Sequence, residues 1–292
     1  MMDLGIFLPL IDDVLPLIVC WSPKAGCTTV TKWFLFHIGA LEKALSFSPS
    51  FFAKEDSSVF GEETLSVHGY RFEKVYRATG GRPASEYVSR CEELLVGRKM
   101  RVIKVIRDPA NRTVSNFAQF LMSACLLPHY QAWGPFLAWK RLMGFGMEAS
   151  ASFEQFVLYL IACRERRIWL DVHWAPQWHH VQDRFVDRFI PIERFEQEAQ
   201  EIEAEFRLRR SDVAALTRSP HHRRQPDRAP LQTGGGPSRA FSPSAARDFL
   251  PPASDLLTEH MRRLIRMAYA DDYAAYSSFY PGPSDRGLSG TA

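Results

Sequence analysis

The sequence predicts an α/β fold of three layers, a central parallel sheet flanked by helices. Two stretches predict it. The apolar, β-forming run Leu17 to Trp21 (LIVCW) leads through SPKAGCTTV into a segment with helical spacing, and Val102 to Ile106 (VIKVI) leads through RDPANR into TVSNFAQFL. A strand–loop–helix unit used twice favours parallel strands with helices on their faces. The short Gly-containing turn between the first strand and its helix makes the fold P-loop-like, although its lysine, Lys24, stands near the front of the turn.

After that turn, TTVTKWFLFHIGAL places Val30, Trp33, Phe34, Ile38 and Leu41 at helical spacing, with Thr28 or Thr29 as N-cap. Residues 46–66 are Ser- and Phe-rich without a clear period, and 71–97 read as largely helical, EYVSRCEELL most clearly. The second strand and its helix follow. SFEQFVLYLIACRERRI then sets Phe153, Phe156, Val157, Leu160, Ile161 and Ile168 on one helical face. RFVDRFIPI reads as a short strand and turn, and ERFEQEAQEIEAEF as a helix with Phe195, Ile202 and Phe206 inward. Residues 207–247 change character: seven arginines between Arg207 and Arg228 precede TGGGPS and several prolines, which predicts a basic, Pro/Gly-rich insertion or loop. A last amphipathic helix over about 254–270 carries Leu256, Leu257, Met261, Leu264, Ile265 and Met267. The expected organisation is one domain over 1–281 with a flexible tail at 282–292.

At 292 residues, 46% hydrophobic and 13% aromatic, the chain has ample material for a packed core. Its net charge of +3 is spread over 36 basic and 33 acidic residues, which gives no general reason to expect nucleic acid or membrane as partner. Five cysteines without a CxxC pair suggest neither a zinc site nor a disulfide framework; reduced thiols are the simplest reading. The apolar N-terminus lacks a basic region and carries Asp3, Asp12 and Asp13, and no long uninterrupted apolar segment follows, so neither export nor a membrane span is expected.

A loop that opens a helix gathers backbone N–H groups with no intrahelical partner, at the positive end of the helix dipole. Gly26 allows close approach there, Thr28 and Thr29 offer hydroxyls, and Lys24 can meet an oxygen that gains charge. Alone, this loop fits a phosphate site or a plain turn with a solvated lysine, and it lacks the GxxxxGK[ST] pattern of a nucleotide-triphosphate loop. The second loop narrows the choice. Arg107 stands at the carboxyl end of a strand, where open α/β sheets bind ligands, and Ser115 lies in the helix that follows. A guanidinium fork and a hydroxyl suit a second phosphate, while Asp108 and Arg112 are expected to set the loop internally.

Together, PKAGCTT and RDPANRTVS resemble the 5′-phosphosulfate and 3′-phosphate motifs of sulfotransferases that use 3′-phosphoadenosine 5′-phosphosulfate (PAPS). The form of the first loop is similar to carbohydrate sulfotransferases of the chondroitin and HNK-1 type and their bacterial relatives. DVHWAPQ (171–177) is similar to that family's HWxPQ segment, and YADDYAAY (269–276) resembles its terminal YxxDFxxF. The resemblance implies that Pro23, Lys24, Ala25, Gly26, Cys27, Thr28 and Thr29 hold the 5′-phosphosulfate and that Arg107 and Ser115 hold the 3′-phosphate. It implies Lys24 at the phosphosulfate bridge, direct in-line transfer to an acceptor hydroxyl, and no metal. It also implies a carbohydrate or glycolipid acceptor, while the charge balance leads to the expectation of no nucleic acid partner.

The acceptor hydroxyl needs a base. His68, in SVHGYRF between the two loops, is the first candidate and His173 the second, because histidine titrates near neutrality. His179 and His180 fall on a polar stretch, and His221 and His222 carry no assigned chemistry. The arginines of 207–228 read as a solvated loop or as an acceptor-attracting rim, and Trp133, Trp139, Trp169, Trp174 and Trp178 as core or as sugar-stacking surfaces. Family members of the animal Golgi are anchored by an N-terminal membrane segment that is not seen here, so the chain is expected to be cytoplasmic and bacterial, with peripheral membrane association and oligomeric state left open. The rivals are a small-molecule or nucleotide kinase with an atypical P-loop, and a non-enzymatic anion or nucleic-acid-binding module built on the arginine-rich segment.

Overall fold

A computed structural model describes residues 8–48, 62–76, 85–127, 130–217, 236–244 and 251–281. In chain order, the first part holds β1 (Leu17–Cys20), α1 (Cys27–His37), α2 (Leu41–Leu45), α3 (Glu62–Tyr76) and α4 (Ser85–Gly97). Next come β2 (Arg101–Ile106), α5 (Pro109–Leu126), α6 (Trp133–Leu142), β3 (Ala151–Ser152) and α7 (Phe153–Glu165). The last part holds β4 (Arg188–Pro191), α8 (Phe195–Glu205), α9 (Val213–Thr217), β5 (Ala240–Phe241), α10 (Ala253–Leu256), α11 (Glu259–Ala268) and α12 (Ala270–Ala275). These elements fall into two compact units, one drawn from Met1–Ile106 with His179–Ala229, the other from Arg107–Trp178 with Pro230–Ala292.

The first unit is built on a parallel sheet of order β1-β2-β4, with Ile18 opposite Val102 and Lys104 opposite Phe189. Both faces are covered, which is why LIVC reads as an unbroken apolar run rather than an alternation. Strand residues nevertheless alternate between two cores. Leu17, Val19, Ile103, Val105 and Ile190 pack with Trp33 and Phe34 of α1 and Ile202 of α8, whereas Ile18, Cys20 and Val102 pack with Cys91 and Leu94 of α4. The result is the helix–sheet–helix layering the sequence predicts. The one polar residue at the centre of β2, Lys104, is fully buried and donates to Asp183, since a lone buried ammonium would be prohibitively costly. Burial pushes the Cys20 and Cys91 thiols up to about 12.

The second unit has an aromatic core. Phe117 and Phe120 of α5, Phe153 and Phe156 of α7, Trp174, and Met261 and Ile265 of α11 pack together, with Phe120 stacked on Phe156 at 5.1 Å and edge-on to Phe136 at 5.0 Å. A two-residue antiparallel pair joins β3 to β5, Ala151 opposite Phe241.

Several expectations need correction. The N-cap of α1 is Gly26 rather than Thr28 or Thr29, because the chain enters the helix through a left-handed residue that only glycine adopts without strain. The helix that carries His68 begins at Glu62, inside the stretch without a clear period. Ile168 lies past the end of α7 and is 52% exposed. The single helix expected over 254–270 is three shorter ones, and Met267 points outward. Residues 207–247 are not all loop, since α9 and β5 fall within them. The second half of the arginine-rich stretch, from residue 218 on and with His221 and His222, lies outside the described residues, as does the tail 282–292.

Candidate active site

In the first unit, β1 ends at Cys20 and the chain turns at once. Ala25 N–H donates to the Ser22 carbonyl at 3.2 Å, closing the turn around a fully buried Ala25, with Pro23 buried and Lys24 half-buried. Lys24 has φ 62° and Gly26 φ 75°, so two left-handed residues flank Ala25. A lysine held there is mildly strained, and such strain tends to be kept where it shapes a binding loop. The turn also presses Gly26 against Ile192: a Cβ at this position would meet Ile192 Cδ1 at 2.3 Å. Only glycine fits, for both conformational and steric reasons.

The helix that follows starts without a side-chain cap. Its first-turn N–H groups, among them those of Thr28 and Thr29, face out of an uncapped helix end, the arrangement that receives anions. Facing this end stands His68 of α3. Its Nε2 lies 3.0 Å from Thr28 Oγ1 and 3.8 Å from Cys27 Sγ. The first unit thus brings together the loop Pro23 to Thr29 and His68. Across the helix from them, Glu203 accepts hydrogen bonds from Trp33 Nε1 at 2.8 Å and His37 Nε2 at 3.1 Å, anchoring α1 to α8.

In the second unit, Arg107 and Ser115 also meet: one guanidinium nitrogen of Arg107 donates to Ser115 Oγ at 2.8 Å. The helix between them is closed by its own residues. Asp108 caps it by accepting from Ala110 N–H at 2.8 Å and also holds the Asn111 side-chain amide, and Pro109 occupies the first turn. Arg112, 1% exposed, donates to the carbonyls of His173 and Ala175 at 3.0 and 2.8 Å. Asp108 and Arg112 therefore make internal bonds, as the sequence suggested.

Those two carbonyls belong to the DVHWAPQ segment, which the second unit folds against the Arg107 loop. His173 Nδ1 lies 2.6 Å from Asp171 Oδ1, and the other Asp171 oxygen accepts from the Tyr130 hydroxyl. Burial opposes the Asp171 charge, yet the bonds from His173 and Tyr130 outweigh it and hold the carboxyl below its usual range. Burial and the same carboxylate push the Tyr130 hydroxyl far up. Trp174 is fully buried in the aromatic core, whereas Trp178 is 37% exposed. His179 and His180 in the first unit lie ring to ring at 5.0 Å.

Three supporting residues escaped the sequence reading: Asp171, Gln177 and Asp272. Asp171 and Gln177 lie inside the quoted segment DVHWAPQ and Asp272 inside YADDYAAY, so the motifs were visible but the partners of their side chains were not. Among the described residues no cluster of His, Cys, Asp and Glu is arranged to hold a metal ion, and no helix is long and apolar enough to cross a membrane.

A family model described as the sulfotransferase family matches residues 10–280. No curated protein and no solved structure matches the chain.

Proposed function

The chain belongs to the sulfotransferase family, and from that premise we propose that its donor is PAPS and its acceptor a hydroxyl of a carbohydrate or glycolipid. In this reading Pro23 to Thr29 receive the 5′-phosphosulfate on backbone N–H groups and the hydroxyls of Thr28 and Thr29. Arg107 and Ser115 receive the 3′-phosphate. The acceptor oxygen attacks sulfur as the bond from sulfur to the 5′-phosphate oxygen breaks. The sulfuryl group ends on the acceptor oxygen, and adenosine 3′,5′-bisphosphate leaves with the electron pair. Lys24 meets the charge that builds on the bridging oxygen, a contribution that is largest in the transition state.

The acceptor's proton goes to His68. The observation that carries the reading is the position of that imidazole, 3.0 Å from a hydroxyl on an uncapped helix end that opens with a lysine and a glycine in left-handed conformation. A base at the mouth of an anion-receiving loop suits transfer from a bound phosphosulfate. A second reading of the base rests on Asp171: a carboxylate 2.6 Å from Nδ1 orients the His173 ring and fixes its tautomer, leaving the other ring nitrogen as the acceptor, the logic of a histidine–aspartate pair.

The carbohydrate or glycolipid class rests on the form of the first loop, PKAGCTT, and the domain is taken as one catalytic unit over 1–281. The five cysteines are free thiols, which suits a reducing compartment and the proposed cytoplasmic setting. A thermal-shift comparison tests the donor. Adenosine 3′,5′-bisphosphate is expected to raise the melting temperature while ATP with magnesium does not; stabilisation by ATP with magnesium alone would give the site to a kinase.

A further inference from the structure

The ladder between β2 and β4 ends at Ile106 opposite Pro191, one residue before Arg107. The peptide groups of Arg107 therefore need partners from outside the sheet. Gln177 supplies both. Its side-chain oxygen accepts from Arg107 N–H at 2.9 Å, and its side-chain nitrogen donates to the Arg107 carbonyl at 2.8 Å. A primary amide has the same donor and acceptor as a peptide group, so this side chain takes the place of the next strand residue and sets the backbone from which the guanidinium extends.

Gln177 is itself held from behind. Asp272 of α12, fully buried, accepts the N–H of Gln177 at 3.1 Å on one oxygen and that of Trp178 at 2.9 Å on the other. Three residues earlier, Tyr269 donates to the Trp174 carbonyl at 2.9 Å and lies 3.3 Å from the side-chain amide nitrogen of Asn116. Asn116 follows Ser115 in α5. The network thus leaves from Arg107, passes through 174–178 and 269–272, and returns beside Ser115.

We infer that Gln177, backed by Asp272, is a positioning residue that aims Arg107 at the 3′-phosphate of the donor. The inference rests on the proposed assignment of Arg107 and Ser115 to that phosphate. It gives the HWAPQ and YADDY segments a task in donor discrimination, which mere packing would not.

The test is the affinity of the full chain for adenosine 3′,5′-bisphosphate and for adenosine 5′-monophosphate, which lacks the 3′-phosphate. Gln177→Met keeps the volume and removes both hydrogen bonds. The preference for the bisphosphate should fall roughly tenfold while monophosphate affinity stays at the wild-type value, the size expected for one or two lost hydrogen bonds. Asp272→Asn, which keeps one acceptor oxygen, should give a smaller fall in the same ratio, and it decides the matter if Gln177→Met does not fold. Equal weakening of both ligands, or an unchanged ratio in a wild type that shows the preference, would overturn the positioning role alone. A wild type without any preference for the bisphosphate would overturn the 3′-phosphate assignment, and the positioning role with it.

Discussion

Two loops leave the carboxyl ends of neighbouring parallel strands, and in the proposed reading each meets a phosphate. They are built in opposite ways. The loop after β1 works through its backbone: left-handed Lys24 and Gly26 shape it, and α1 opens without a side-chain cap. The loop after β2 leads to a helix whose end is already closed by Asp108 and Pro109. There the donors toward an anion are side chains, Arg107 and Ser115. The first solution is local, made almost entirely within 22–29. The second depends on Gln177 and Asp272, which reach across 70 and 95 positions of sequence. Backbone donors need only a conformation, whereas an aimed guanidinium needs a scaffold behind it.

Substitutions can break or sharpen this contrast. The largest effect is expected for Lys24→Ala, which should lower kcat about 10² to 10³-fold, as removal of a charge-stabilising donor does, with little change in the melting temperature. Steady-state kinetics beside thermal melting checks it, and a full-speed Lys24→Ala enzyme would remove that residue from the chemistry. Arg107→Ala should act on affinity instead. Losing a charge-assisted contact worth about 1.5 to 3 kcal/mol should weaken bisphosphate binding roughly ten- to hundredfold, read by titration calorimetry.

Gly26→Ala probes the backbone loop directly. The added Cβ meets Ile192 at 2.3 Å and forces a strained φ, so folding stability should fall by about 1 to 3 kcal/mol in denaturant titrations, together with donor affinity. Asp108→Ala is the matched change in the other loop and the smallest of the four. It removes a cap and should cost about 1 kcal/mol of stability, with bisphosphate affinity close to wild type. If Asp108→Ala instead abolished binding, the division between a backbone loop and a side-chain loop would fail.

The sequence made the two loops legible because each is announced locally, by an apolar strand and a turn with distinctive residues. LIVC and VIKVI became the adjacent strands β1 and β2, and the three layers follow from them. The N-cap was misplaced by a residue type argument, since threonine is a good cap but Gly26 already turns the chain. The helix around His68 was hidden by Gly69 and by a flanking stretch without period, so the histidine could be nominated but its contact with Thr28 could not. β3 and β5 are two residues each and too short to show alternation. The roles of Gln177 and Asp272 were invisible for another reason: a buried amide facing a peptide is a property of the folded chain, and HWAPQ and YADDY carry no periodic signal that pairs them.

The central claim, sulfuryl transfer from PAPS through the first loop, is tested most directly by incubating the full chain with radiolabelled PAPS and a panel of carbohydrate and glycolipid acceptors, beside the Lys24→Ala variant. The account predicts label on an acceptor hydroxyl with the wild-type chain and a loss of about two orders of magnitude or more with the variant. Equal transfer by the two proteins, or no transfer to any acceptor from a donor that binds, would contradict it.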